Sequence, residues 1–179
     1  MGQGTLVTPN GGMNVRILIT GGCGFIGCHT IKEALARDDI ERLVNLDALT
    51  YSGNPENLTE IEDDRYRFIH GSINDAEKLT SVLIEERIAV ILHLAAESHV
   101  DRSIDGPVRF IETNVVGTLN LLNESNDWLT SMGEKFKKGF KFIHVSTDEV
   151  YGSLGLKDKS FIENSSYLPN SPYSSSKAS

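Results

Sequence analysis

Val15-Arg16-Ile17-Leu18-Ile19-Thr20-Gly21-Gly22-Cys23-Gly24-Phe25-Ile26-Gly27 is the stretch that decides the fold. Residues 15–20 are a compact, largely β-branched apolar run, which predicts a buried strand. Gly21, Gly24 and Gly27 follow at intervals of three. A helix is predicted over 25–37, with Ile26, Thr30, Ala34 and the pair Ile31/Leu35 setting its period. Strand, glycine turn and helix in this order predict an anion site. Gly21 would permit the tight turn, Gly24 would let a pyrophosphate approach the backbone, and Gly27 would let helix and strand pack closely. The free N–H groups and the helix dipole then favour negative charge.

Working outward, the alternation continues. Strands are predicted at 43–47, 66–70, 89–95 and 140–146. Helices are predicted at 75–87, with Leu79, Val82 and Leu83 inward, and at 107–122, where Pro107 sits in the first turn. Such alternation implies right-handed crossovers and an α/β fold, a doubly wound parallel sheet with helices on both faces. Residues 152–172 are rich in Gly, Ser, Asn and Pro and predict a loop. A last helix opens at Ser171-Pro172. Residues 1–14 read as a flexible leader, and residues 15–179 as one domain that breaks off inside its final helix.

Composition narrows the partners. The 179 residues are 39% hydrophobic and 23% charged, with a formal net charge of −8. That balance fits a globular domain and argues against a nucleic-acid binder. It leaves a nucleotide ligand open, because backbone amides hold phosphate without net positive charge. No apolar run approaches the ~20 residues that span a bilayer, and residues 1–14 lack the apolar segment of a signal peptide. A cytoplasmic protein without membrane partners is expected. Cys23 and Cys28 lie in or beside the glycine loop. They are read as small packed residues rather than a disulfide or metal site. The five histidines show no ligand spacing, so no metal is expected; His93 and His144 read as strand residues satisfying core hydrogen bonds.

Asp47 closes the second predicted strand, 20 residues after Gly27. An acid there accepts hydrogen bonds from a ribose diol and repels a 2′-phosphate, which favours NAD over NADP. Near the other end, Thr147, Asp148 and Glu149 follow the fifth strand, where parallel sheets bind ligands. Tyr173 and Lys177 stand four apart on one helical face. A phenol with a pKa of about 10 is a poor base at neutral pH, and a nearby ammonium lowers that value. Two adjacent carboxyls in different environments can divide into acid and base.

These segments together resemble the extended short-chain dehydrogenases, and within them the dTDP-glucose 4,6-dehydratases. The resemblance is carried by TGGCGFIG (20–27), LDALTYSGNPENL (46–58), HLAAESHVDRSI (93–104), TNVVGTLNLL (113–122), HVSTDEVYG (144–152) and PNSPYSSSK (169–177). It implies that Gly21, Gly24, Phe25, Ile26 and Gly27 cradle the pyrophosphate of NAD, and that Asp47 binds the adenosine ribose. Ser72 and Ile73 would lie by the adenine. Ala95, Ala96 and Ser98 would line the nicotinamide half, with Tyr173 and Lys177. It further implies that Tyr173 takes the C4 hydroxyl proton and Thr147 orients that oxygen. Glu149 would remove the C5 proton and Asp148 would protonate the departing C6 hydroxyl.

The family has Gly-Asp-Ile where this chain has Gly71-Ser72-Ile73, so NAD binding is expected to be weaker by one polar contact. The family is also about twice as long, so further strands and the substrate domain are expected to be missing and the fragment inactive. The expected partner is a nucleotide-activated glucose, on thymine or uracil, and the whole protein is expected to be a homodimer. A 4-epimerase, a UDP-glucose 4,6-dehydratase, a non-catalytic NAD-binding module and an association-prone fragment are the competing readings.

Overall fold

The computed structural model describes residues 14–179; the predicted leader lies outside the described residues, save Asn14. Five parallel strands form one sheet in the order β3-β2-β1-β4-β5. They are β1 (Val15–Thr20), β2 (Ile40–Asp47), β3 (Tyr66–His70), β4 (Val90–His93) and β5 (Lys141–His144). The chain runs outward from β1 to β3, then returns to build β4 and β5 on the other side. The expected doubly wound α/β architecture is therefore present. Its switch of direction places a crevice at the carboxyl ends of β1 and β4.

Strand alternation splits the core in two. Leu18 and Ile19 are neighbours in sequence and point to opposite faces. Leu18, Val44, Leu46 and Ile91 pack with Leu79, Val82 and Leu83 of α2 (Ala76–Glu85) and with Leu121 and Trp128. Ile19 and Leu43 pack with Cys28 and Ile31 of α1 (Phe25–Leu35). Both cysteines are buried and unpaired. The predicted inward face of α1 needs correction: Ile26 is 61% exposed, because it lies in the first turn at the mouth of the crevice.

The helix predicted over 107–122 runs to Thr130. It comprises α4 (Pro107–Phe110), a widened π-helical stretch (Ile111–Gly117) and α5 (Thr118–Thr130). The polar run 123–127 hid the continuing period, which is Leu121, Ser125 and Trp128, all buried. Two short helices were not predicted, α3 (Val100–Asp105) and α6 (Glu134–Gly139). Strands β4 and β5 end earlier than predicted, so residues 94–98 and 145–147 are free to turn toward the crevice. Finally, α7 (Pro172–Ala178) starts at a capping box between Ser171 and Ser174 and buries Ser174, Ser176 and Lys177.

At the opposite pole from the crevice, three strands are tied together by one acid. Glu86, just past α2, meets Arg16 of β1, Arg42 of β2 and Arg67 of β3. Burial pushes its pKa up, but hydrogen bonds from Arg42 and Arg67 outweigh that and hold it below the ordinary range.

Candidate active site

The glycine turn owes its shape to sterics. Gly21 has φ +74°, and a Cβ there would lie 2.7 Å from the amide nitrogen of Ala95. A Cβ on Gly27 would meet the Gly21 carbonyl oxygen at 2.3 Å, so α1 can sit on the turn only without a side chain there. Gly24 differs. Its added Cβ would meet only the Gly21 carbonyl oxygen, at 3.4 Å, so packing alone does not require glycine. What a side chain would fill is the crevice itself, beside the uncapped N-terminus of α1. That is a cradle suited to a phosphate group.

Asp47 is buried at the end of β2 and accepts two backbone N–H groups, from Cys23 at Oδ2 and from Leu49 at Oδ1, both at 2.8 Å. The acid thus fixes the glycine turn as well as facing the crevice. Asn45, one layer below, donates to Cys23 Sγ and to the Tyr66 hydroxyl. Its carbonyl oxygen would meet a Cβ on Gly22 at 2.1 Å, so Gly22 is a steric requirement that the three-residue spacing did not reveal.

The crevice has a volume of about 410 Å³. Gly21, Gly24, Phe25, Ile26 and Gly27 form its floor, and Asp47, Ser72 and Ile73 line one end. Ala95, Ala96, Ser98, Tyr173 and Lys177 line the other. Every residue expected to touch a dinucleotide therefore borders one cavity. Thr50, Ser52, Gly53 and Thr113 border it too. Sequence reasoning passed over them because small residues in the loop after β2, and a threonine within a helix, carry no periodic signal of a ligand.

Thr147, Asp148 and Glu149 lie just outside this lining, on a 3-10 turn (Asp148–Tyr151) rather than at a strand end. Thr147 caps the turn through the Glu149 N–H and lies beside the Tyr173 phenol. Burial raises the phenol's pKa, and the charges of Glu149 and Asp148 raise it further against the lowering effect of Thr147. The expected lowering by Lys177 is absent here. The Lys177 ammonium donates to the Val145 carbonyl at 2.6 Å, and burial brings its own pKa down to about 8. Phenol, threonine and both carboxyls are thus gathered, with the phenol held protonated.

Of two buried polar side chains nearby, Asn114 was missed, whereas His93 makes the core hydrogen bonds expected of it. Asn114, in the π-helical stretch, accepts the Glu97 N–H and donates to the Glu97 carbonyl and to Ser176 Oγ, each at 2.9 Å. It locks the 94–98 loop to α7, and an isolated asparagine among apolar helix residues was its only signal. His93 bridges Thr20 Oγ1 (2.7 Å) and Thr118 Oγ1 (3.0 Å), and Thr20 Oγ1 also accepts the Ala95 N–H. Burial lowers its pKa to about 3, so the ring stays neutral. His144 departs from expectation: it is exposed, because β5 is an edge strand. No group of three or more His, Cys, Asp or Glu is placed to hold a metal among the described residues.

The dTDP-glucose 4,6-dehydratase of Xanthomonas campestris is 51% identical over 162 residues, covering 90% of this chain and 45% of that protein. The crystal structure of DesIV, a dTDP-glucose 4,6-dehydratase from Streptomyces venezuelae with NAD bound, superimposes with a TM-score of 0.81 at 46% identity. That match covers 92% of this chain and 48% of DesIV. The UDP-glucose 4-epimerase of Thermus thermophilus in complex with NAD gives 0.77 at 32% identity, over 92% of this chain and 48% of the epimerase. The chain spans about half the length of the curated relatives it matches. Residues 18–179 match the family described as GDP-mannose 4,6 dehydratase, and the chain belongs to that family.

Proposed function

We propose that residues 15–179 form the cofactor-binding unit of an NAD-dependent dTDP-glucose 4,6-dehydratase. The observation that carries this reading is a single crevice joining the glycine turn and Asp47 to Tyr173 and Lys177, with an acid pair at the phenol. The residues fit NAD: Gly24 leaves a phosphate-sized space, and the buried carboxylate of Asp47 suits a ribose diol and repels a 2′-phosphate. When bound, NAD would supply the oxidation at C4 and the later reduction at C6.

The chain's own residues would handle protons. Tyr173 takes the proton of the C4 hydroxyl, oriented by Thr147. For this, Lys177 must exchange the Val145 carbonyl for the phenol side as the crevice fills, because burial and two carboxylates otherwise keep the phenol protonated. A ketone at C4 acidifies C5, where Glu149 acts as base. Asp148 protonates the leaving C6 hydroxyl. A homodimer is part of the proposal, supported by an apolar stripe of Val108, Ile111, Leu119 and Leu122 left exposed from α4 through the π-helical stretch to α5.

Glu149→Gln tests the assignment in the whole protein. NAD affinity should stay within about twofold, while C5 deuterium uptake from D2O and 4-keto-6-deoxy sugar formation fall ~10²- to 10⁴-fold. Normal water release by this variant would sink the role of Glu149. The likeness to 4-epimerases supports a second reading, which needs no C5 proton transfer. Under it, the variant would interconvert C4 epimers at the wild-type rate.

A further inference from the structure

The guanidinium of Arg102, on α3, stands over the ring of Tyr51 with 4.4 Å between its central carbon and the ring centroid. The two residues come from segments on different sides of the crevice, a turn and a short helix. Tyr51 belongs to the segment after β2, between lining residues Thr50 and Ser52. Arg102 lies four residues beyond lining residue Ser98, on the segment after β4. Since β1 lies between β2 and β4, the contact joins segments that leave the sheet on either side of β1, whose carboxyl end carries the glycine turn.

Both anchors are firm, whereas the contact is exposed. The Tyr51 segment is tied down by Leu49 N–H on Asp47, Gly53 N–H on the Thr50 carbonyl and Asn54 N–H on the Cys23 carbonyl. Helix α3 is held by buried Ser103 and packs on α7. Tyr51 itself is 50% exposed and Arg102 is exposed, so neither serves the core. Among the described residues Arg102 forms no ion pair, and its guanidinium lies against the ring.

We propose that Tyr51 and Arg102 form a clasp over the dinucleotide cleft that slows release of the bound cofactor. The inference rests on the NAD reading above. It also gives that reading something it needs. Oxidation at C4 and reduction at C6 cancel within one turnover, so loss of the dinucleotide between them would strand a ketone. A cation–π contact at an exposed site is weak enough to open and strong enough to alter a release rate.

The test uses the full 179-residue chain in two arms. In the first, chain preloaded with radiolabelled NAD is diluted into excess unlabelled NAD and the bound label is followed by rapid filtration. Arg102→Ala and Tyr51→Leu should each speed release by about two- to fivefold. Tyr51→Phe, which keeps the ring face, should match wild type, and the double variant should be no faster than either single one. Equal release rates in all variants, or multiplying effects in the double, would overturn the clasp. In the second arm, without NAD, Arg102→Ala should speed amide hydrogen exchange at Gly53 and Asn54; unchanged exchange there also overturns it. Failure of wild type to bind NAD would overturn the cofactor reading, and with it cofactor retention, whatever the exchange arm shows.

Discussion

His93 shows what single residues do beneath this crevice. Its imidazole occupies a buried slot between two threonine hydroxyls, one of which also holds the Ala95 N–H on the crevice wall. Neutral imidazole offers one donor and one acceptor there, and burial resists a second proton. The folded-state pKa is about 3 against 6.5 for a free side chain. Between those values the unfolded chain binds one more proton than the folded chain. Stability contributed at this site is therefore fully present above pH 6.5 and lost as pH falls, by about 1.4 kcal/mol per pH unit. Urea denaturation from pH 4 to 7 should show that slope, and His93→Gln should remove one proton's worth of it. A His93 imidazole signal, assigned by its loss in His93→Gln, that titrates near 6.5 by NMR would contradict the assignment. The same network explains what the sequence concealed at this scale. Glycine spacing and an acid at the second strand end are local signals and were legible. The partners of His93 and Asn114 lie on distant segments, and no local pattern announces them. Likewise the Tyr173–Lys177 spacing shows a shared helix face but not that the Val145 carbonyl captures the ammonium.

Among elements, those carrying an apolar run or a sustained period were legible and the shortest helices were not. Helix α2 and strand β1 announce themselves through runs that packing enforces over several residues. Helices α3 and α6 have six residues each, less than two turns, and hold their shape through tertiary contact, α3 against α7 and Phe136 of α6 against Trp128, rather than through a pattern. The strand ends at the lower pole were equally hidden, since nothing local says that Arg16, Arg42 and Arg67 converge on one carboxylate. Removing that carboxylate leaves three arginines crowded at adjacent strand ends. Glu86→Gln should cost about 1–3 kcal/mol, read as a lower urea midpoint. The folded pKa of Glu86 is lowered, so its contribution is present above the unfolded carboxyl range, ~4.3, and is lost as pH falls through the folded value. The glutamine variant should therefore lose less stability on acidification than wild type. Unchanged stability at pH 7 would show that the arginines gain nothing from the acid.

For the molecule as a whole, the decisive fact is how much apolar surface stays uncovered. Two surfaces compete. One is the stripe along α4 and α5, where Leu119 is 55% exposed. The other is β5, whose Ile143 pairs in register with Leu92 yet is 50% exposed, because α1 covers that face nearer to β1 and β2. Helix stripes of this kind pair with a second copy, whereas an open strand edge invites strand addition. If the dimer runs through the helices, a charge placed within the stripe must be buried unpaired on association. Leu119→Glu combined with Leu122→Glu should then raise the dimer dissociation constant at least about tenfold, a change of ~1.4 kcal/mol. Sedimentation velocity over a concentration series reads this directly. Ile143→Glu is the matched control, a similar charge on the sheet face that should leave the constant within about twofold. The reverse pattern, dispersal by Ile143→Glu and none by the stripe variant, would assign association to the open sheet and remove the support that the α4–α5 stripe lends to a helix-paired dimer.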